Sequence, residues 1–267
     1  MIVFPNAKIN IGLQVISRRA DGYHNLESLF HPVKINDVLE VVESASLRFT
    51  SSGLAIPGRA EDNLCIRAYE LMRTDHNLPP VHIHVHKNIP IGAGLGGGSS
   101  DAAFFIRLMN EQFALKLTDE QMMAYAAKLG ADCVFFIRNV PAVATGIGHD
   151  LAPCAIDLSS YFLVVAMPDD HVSTAEAYRG VTPKMPEVAL ETLLGQKMTH
   201  WKASLSNDFE KSVFVHHPAI RGAKAALYEA GALYAAMSGS GAAVFGIFEG
   251  ETGLPELEKT CRVFYGV

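Results

Sequence analysis

Cysteine is scarce and unpaired: Cys65, Cys133, Cys154 and Cys261 lie far apart with no C-x-x-C couple. Neither a zinc site nor a disulfide framework is indicated by that spacing. Long apolar runs are missing as well, and none approaches the roughly 20 residues that a bilayer-spanning helix needs. Basic charge is in deficit, with 22 Lys and Arg against 28 Asp and Glu and a formal net charge of -6. A protein that grips a nucleic-acid backbone calls for the opposite balance. The opening MIVFPNAKIN lacks the basic, apolar and small-residue succession of a secretory signal. Internal repeats and low-complexity segments are also lacking. The expectation is a soluble cytoplasmic chain with no nucleic-acid and no membrane partner.

What is present is enough apolar material for a full core. Hydrophobic residues make up 49% of 267 and charged ones 19%, which suits about two domains. Strands are expected at 2–4, 9–16, 38–42 and 47–50, with a polar turn at 18–22. A helix is expected over 63–75, capped by Asn63, with Ile66, Leu71 and Met72 on its apolar face. Residues 81–86 alternate, Val81, Ile83 and Val85 on one face and His82, His84 and His86 on the other. Three imidazoles at spacing two suit a metal, but a half-buried strand showing its polar side to solvent is the preferred reading. A further helix is expected from Ser99 or Ser100 to about Phe113. Thr118 and Gln121 form a capping box for the next, which Gly130 ends. Residues 134–137 read as a strand, 145–148 as a turn, and the pattern changes near Pro153. The domains expected are therefore 1–153 and 154–267. The second should hold strands at 161–166, 234–237, 242–248 and 262–265. Its helices should span 207–215, capped by Asn207 and Glu210, then 218–230, stopped by Gly231, and about 254–259. Strands and helices are interleaved in both halves, so the class is α+β.

The strongest local signal is PIGAGLGGGSSDAA, Pro90 to Ala103. Five glycines in seven positions let successive backbone N–H groups turn toward one point. The loop runs into a helix N-terminus, where free N–H donors and a partial positive charge favour an anion, most often phosphate. Ser99 and Ser100 can cap that helix and offer hydroxyls to a phosphate or to its metal. Gly92, Gly94 and Gly97 satisfy G-x-G-x-x-G, but no acidic strand end follows about 20 residues later, so a dinucleotide fold is excluded. No lysine follows the last glycine as a Walker loop requires, and protein-kinase signatures are absent. A purely structural glycine turn is the bland alternative.

The pattern P-x-G-x-G-L-G-G-G-S-S-D-A-A resembles that of the GHMP small-molecule kinases, the group of galactokinase, homoserine kinase and mevalonate kinase. PNAKINIGLQV at Pro5 to Val15 is similar to the family's N-terminal motif, and MSGSGAAVFGIF at Met237 to Phe248 to its C-terminal glycine motif. RADGYHNLESLF (Arg19 to Phe30), EDNL (Glu61 to Leu64), GAD (Gly130 to Asp132) and LSND (Leu205 to Asp208) narrow the resemblance to one branch. That branch phosphorylates a cytidine-diphosphate-linked methylerythritol in the non-mevalonate isoprenoid route. The resemblance implies a ribosomal-protein-S5-like N-terminal domain, a ferredoxin-like C-terminal domain, and both ligands in the cleft between them. It further implies transfer of the ATP γ-phosphoryl group to the 2-hydroxyl of the erythritol unit, with Mg²⁺ present.

The resemblance also assigns roles. Asp132 matches the catalytic aspartate, which accepts the hydroxyl proton, and Lys8 the catalytic lysine, whose charge would offset that of the transferring group. Without it, Asp132 could be an ordinary residue beyond a helix end, and Lys8 a solvated charge, although its apolar neighbours argue against that. Asn10, on the same strand face as Lys8, is expected at the acceptor hydroxyl. Tyr23 offers a ring for cytosine stacking, His24 reads the base edge, Phe30 closes the pocket, and Thr174 and Tyr178 approach the same substrate. An aromatic-bearing turn is the alternative for Tyr23 and His24. Asn63 and Leu64 align with an adenosine-side segment. The ATP phosphates fall to Pro90, Ile91, Gly92, Ala93, Gly94, Leu95, Gly96, Gly97, Gly98, Ser99 and Ser100. Ser238, Gly239, Ser240 and Gly241 form a second amide nest or a tight turn. No carboxylate is assigned to Mg²⁺; Ser100 is the candidate ligand, with phosphates and water supplying the rest. Where many relatives follow the aspartate with Val-Pro, this chain has Cys133 and Val134. Two rivals stay open: another acceptor (mevalonate, homoserine or a sugar), which the DGYH segment opposes, and a non-catalytic nucleotide module, which Lys8 and Asp132 oppose.

Overall fold

The computed structural model describes residues 1–267. Its strands are β1 (Ile2–Val3), β2 (Asn6–Arg18), β3 (His24–Asn36), β4 (Val38–Glu43), β5 (Arg48–Gly53), β6 (Val81–Lys87), β7 (Ala142–Thr145), β8 (Asp150–Pro153), β9 (Phe162–Pro168), β10 (Tyr234–Met237), β11 (Val244–Phe248) and β12 (Cys261–Tyr265). The helices are α1 (Leu64–Asp75), α2 (Gly97–Gln112), α3 (Asp119–Ala127), α4 (Ala131–Arg138), α5 (Thr174–Arg179), α6 (Leu190–Leu194), α7 (Met198–Ser204), α8 (Glu210–His216), α9 (Pro218–Glu229) and α10 (Pro255–Glu258). The chain packs as two compact units. One gathers Met1–Ala7, Ile35–Ile91 and Gly96–Val140; the other gathers Lys8–Lys34, Gly92–Leu95 and Pro141–Val267. These units divide the chain by packing and interleave along it, whereas a boundary at Pro153 divides it by order. No helix is long and apolar enough to cross a membrane.

In the first unit a sheet runs β1-β4-β6-β5, with β5 parallel to β6 and the other pairs antiparallel. The alternation of β6 is realised: Val81, Ile83 and Val85 are fully buried. On the other face the imidazoles of His82, His84 and His86 alternate with the Thr50 and Ser52 hydroxyls of β5, at 2.8–3.0 Å. Asn63 caps α1, its Oδ1 accepting from the Cys65 N–H at 2.9 Å. The buried stripe of α1 is Cys65, Ala68, Tyr69 and Met72, an i, i+3, i+4, i+7 series; Ile66 and Leu71 only flank it. Thr118 and Gln121 make the expected capping box at α3.

Three expectations are corrected here. α2 begins at Gly97 rather than at a serine, with Gly96 in the cap position at φ 72°, so Ser99 and Ser100 lie inside the first turn. Residues 134–137 are the middle of helix α4, whose apolar run is buried on several sides; a short apolar run does not reveal its period. Gly130 opens α4 in an extended conformation instead of closing α3 with a left-handed one. Asp132 therefore stands at the start of a helix, not after the end of one.

The second unit holds two sheets, β2-β3-β7-β8 and β10-β11-β9-β12, the latter antiparallel throughout. The order of β9, helices, β10, β11, α10 and β12 with that spatial arrangement is the ferredoxin-like split βαβ topology. Its core packs Phe209, Val213, Ile220, Ala223 and Leu227 against Val164, Ala166 and Val244. Pro218 starts α9 and Gly231, at φ 96°, follows its end as expected. Phe209 holds the cap position of α8 without a side-chain bond, so the expected cap is met only in part: Asn207 Oδ1 accepts from the Phe209 N–H at 3.0 Å, while Glu210 is turned elsewhere. Asn207 Nδ2 donates to the Met237 and Gly239 carbonyls, and Glu210 accepts from the Met237 N–H.

Candidate active site

The glycine loop is built from both directions. Alternation along β6 carries past Val85 to Lys87, which therefore faces the core and is 3% exposed. A buried ammonium needs counter-charge, and Lys87 Nζ donates to Asp37 and, at 2.8 Å, to Asp101 Oδ2. The other oxygen of Asp37 accepts the Asn88 and Ile89 N–H groups at 2.6 and 2.8 Å, fixing the turn that enters the loop. Burial, with Asp37 adding repulsion, pushes the Asp101 carboxyl up to about 7 against the pull of Lys87.

Beyond Ile91, the loop's carbonyls are tied down. Leu95 O accepts from Lys8 N at 3.0 Å, Ala93 O from Ala243 N at 3.1 Å, and Gly94 O from Ser238 Oγ at 2.9 Å. Only glycine fits at 94: φ is 77° and a Cβ would collide with the Ser238 carbonyl. At Gly97 a Cβ would come within 2.8 Å of Ile89 Cγ2. The first intrahelical bond of α2 is Ser100 N–H to Gly96 O. The N–H groups of Gly97, Gly98 and Ser99 thus have no intrahelical acceptor. Gly96 supplies no capping side chain, and the first turn holds no acidic residue. Such an end is open to a phosphate.

Gly98 also lines a cavity of about 440 Å³ with Phe49, Ile56, Asn63, Leu64 and Asp101. Asn63 caps α1 through its Oδ1 and also lines this cavity. Ser100 is fully buried and its hydroxyl has no partner. One oxygen donor of this kind at a helix start fits a Mg²⁺ held otherwise by phosphate oxygens and water. Ser99 is half-buried and its hydroxyl draws down the Cys133 thiol, which burial nonetheless pushes up to about 11.

In the second unit the strand face of β2 places Lys8 beside Asn10, both nearly inaccessible at 3% and 2%. A solvated surface lysine is thereby excluded. Lys8 Nζ donates to Asn10 Oδ1 and lies 4.6 Å from the centre of the Phe30 ring. Asn10 Nδ2 donates to Ser28 Oγ, and its N–H to Ser238 Oγ. The Asn10 amide is therefore engaged in holding Lys8. His24 stacks on Tyr178 at 4.9 Å, and Tyr178 meets Phe209 edge-on at 4.8 Å. Tyr23 precedes His24 in sequence and stands 62% exposed, its N–H donating to Asp21 Oδ1. Thr174 Oγ1 lies 3.4 Å from Ser240 Oγ, and the Ser238–Gly241 turn is the one that Asn207 holds. In the first unit Asp132 sits in the first turn of α4, where the helix dipole favours a carboxylate.

Asp37, Lys87, Asp101, Ser28 and Asn207 were not singled out as parts of the site by sequence. Lys87 alone carried a signal, since extending the alternation of 81–86 by one more residue puts a charge on the core face.

The GHMP kinase N-terminal domain family matches residues 63–146, and the GHMP kinase C-terminal domain family residues 188–262. The 4-diphosphocytidyl-2-C-methyl-D-erythritol kinase of Bacteroides thetaiotaomicron is 49% identical over 99% of this chain and 98% of its own length. That of Cytophaga hutchinsonii is 51% identical over 93% and 92%. A crystal structure of 4-(cytidine 5'-diphospho)-2C-methyl-D-erythritol kinase superposes with a TM-score of 0.82 at 32% identity, covering 100% of this chain and 98% of that one. The fold is the two-domain GHMP kinase fold, S5-like in its N-terminal part and ferredoxin-like in its C-terminal part. On identity of that level along its whole length, the chain belongs to the 4-diphosphocytidyl-2-C-methyl-D-erythritol kinase family of the GHMP kinases.

Proposed function

We propose that the chain transfers the γ-phosphoryl group of ATP to the 2-hydroxyl of 4-(cytidine 5'-diphospho)-2-C-methyl-D-erythritol, in the cytoplasm and within the non-mevalonate isoprenoid route. The observation that carries this reading is the uncapped start of α2, with three N–H groups open to phosphate, adjoining a cavity of nucleoside size through Gly98. The triphosphate lies on the loop Pro90–Ser100 and its nucleoside against Asn63 and Leu64. Mg²⁺, when bound at the Ser100 hydroxyl and the phosphates, supplies charge neutralisation. Asp132 accepts the proton of the acceptor hydroxyl as its oxygen bonds to phosphorus and the bond to the β-phosphate oxygen breaks, releasing ADP. Lys8, fixed by Asn10 and by Phe30, offsets charge on the transferring group. Tyr23, His24 and Tyr178 bind the cytidine, with Thr174 and the Ser238–Gly241 turn near the diphosphate. In the family's terms, residues 1–153 carry the nucleotide loop and 154–267 the second half.

The test is phosphorylation of the cytidyl acceptor, compared with mevalonate, homoserine and galactose, followed by ADP release and by ³¹P NMR of the product. Turnover confined to the cytidyl acceptor is expected. Equal or better turnover of a simple acceptor would overturn the substrate assignment. Asp132→Ala should lower kcat by about 10²–10⁴ with the fold intact, the range for a lost general base.

A further inference from the structure

His217 lies where α8 gives way to α9 and has no place in the chemistry above. Its Nδ1 is 2.9 Å from Asp170 Oδ1 and its Nε2 is 3.0 Å from Glu176 Oε1. A neutral imidazole carries a single N–H and would aim a lone pair at one of these carboxylates. The imidazolium donates to both. Its side chain is 13% exposed, so the two contacts are partly shielded from water.

Both carboxylates adjoin groups that shape the site. Asp170 precedes His171, whose ring packs on the glycine loop closely enough that a Cβ at Gly92 would lie 3.0 Å from its Cε1. Glu176 belongs to α5, a helix of six residues whose single fully buried side chain is Ala177. A helix of this length does not hold itself in water and depends on tertiary anchors. α5 also carries Tyr178, stacked on His24.

We propose that His217, as an imidazolium bridging Asp170 and Glu176, is a positioning residue that sets α5 and with it the Tyr178–His24 pair on the acceptor side of the site. The proposal rests on the reading that this pair binds the cytidyl substrate. The charged groups that act on the ring are Asp170, from the segment before α5, and Glu176 of α5, and Arg179 of α5 acts in turn on Glu176. Burial works against the positive charge, but the two carboxylates outweigh it and raise the ring above its ordinary 6.5. The hydrogen bond from His217 in turn lowers Glu176. A group raised on folding contributes its stability fully below the unfolded value and loses it as pH climbs through the folded one. The staple is therefore present near pH 6.5 and released at higher pH.

In the wild type the KM for the cytidyl acceptor should rise with pH across that release, and any change in the KM for ATP with pH should be the same in His217→Gln. His217→Gln, neutral at every pH, should raise the acceptor KM about tenfold and flatten its pH profile, the cost of a misplaced binding group. Glu176→Gln should move the rise to lower pH. Two readouts stand apart from turnover: ¹⁵N shifts of the His217 ring should show both nitrogens protonated at pH 6.5, and amides of α5 should exchange faster in His217→Gln. A neutral ring at pH 6.5, or α5 exchange unchanged in the variant, would overturn the staple. Failure of the wild type to use the cytidyl acceptor would instead remove the functional reading, with ring and exchange still deciding on the staple.

Discussion

The Lys87 ammonium and the His217 ring, one in each packing unit, are each set between two carboxylates, and the two settings differ in water. Around Lys87 the side-chain exposures are 3% for the ammonium, 0% for Asp37 and 6% for Asp101. Around His217 they are 13%, 25% for Asp170 and 37% for Glu176. In the first, two carboxylates and one ammonium leave a net negative charge with almost no solvent to screen it, and Asp101 answers by holding its proton to about 7. In the second, both carboxylates reach solvent, and the group that titrates is the ring between them. Similar geometry thus yields a fixed girder in one place and a releasable staple in the other. Both lose stability as pH rises, but in successive windows: from 3.8 to about 7 for Asp101, and from 6.5 upward for His217.

The comparison breaks most readily at Lys87. Lys87→Met keeps the bulk of the stem but leaves Asp37 and Asp101 buried without their cation. Stripping one partner from a buried ion cluster costs about 3–5 kcal/mol, and urea unfolding at pH 8 should show that loss. A cost below about 1 kcal/mol is the value of a solvated pair and would mean that water reaches the cluster, erasing the contrast. Asp101→Asn sharpens the same point with a sign. The wild type loses stability between pH 3.8 and about 7 as the unfolded chain ionises at Asp101 and the folded one does not. The amide cannot ionise, so the variant's melting temperature should be flatter across that window. It should also gain on the wild type between pH 4 and pH 8. An unchanged slope would assign the titration elsewhere.

Legibility in the sequence followed the range of the forces. The cap at Asn63, the box at Thr118 and Gln121, the alternation of β6 and the ends of α9 are settled by neighbours within four residues, and each stands as read. The run Val134–Ile137 was misread because helix and strand differ there only in what surrounds them, which four apolar residues do not state. β3 went unread because Pro32 and polar residues interrupt its alternation, which sheet pairing on both sides overrides. The glycine loop and the helix it opens were legible from the loss of Cβ atoms alone. The loop's foundation was not, since the partners of Lys87 come from 14 and 50 residues away in the chain. Asn207 was read as a local cap, and its Oδ1 does accept the Phe209 N–H, but its Nδ2 serves the carbonyls of Met237 and Gly239, 30 and 32 residues on.

The smallest effect is also the cleanest test of the contrast. Asp170→Asn preserves the shape of the acceptor facing His217 Nδ1 and removes its charge, and it should cost about 1 kcal/mol or less at pH 6. Half-exposed pairs are screened by salt, whose Debye length falls from about 10 Å at 0.1 M to about 3 Å at 1 M. Raising the salt to 1 M should therefore shrink the difference between Asp170→Asn and the wild type toward zero. The same salt should leave most of the penalty of Lys87→Met in place, because ions do not enter a cluster that water barely touches. Equal salt sensitivity in the two variants would mean that exposure, as read from the side chains, does not decide which cluster is fixed and which is released.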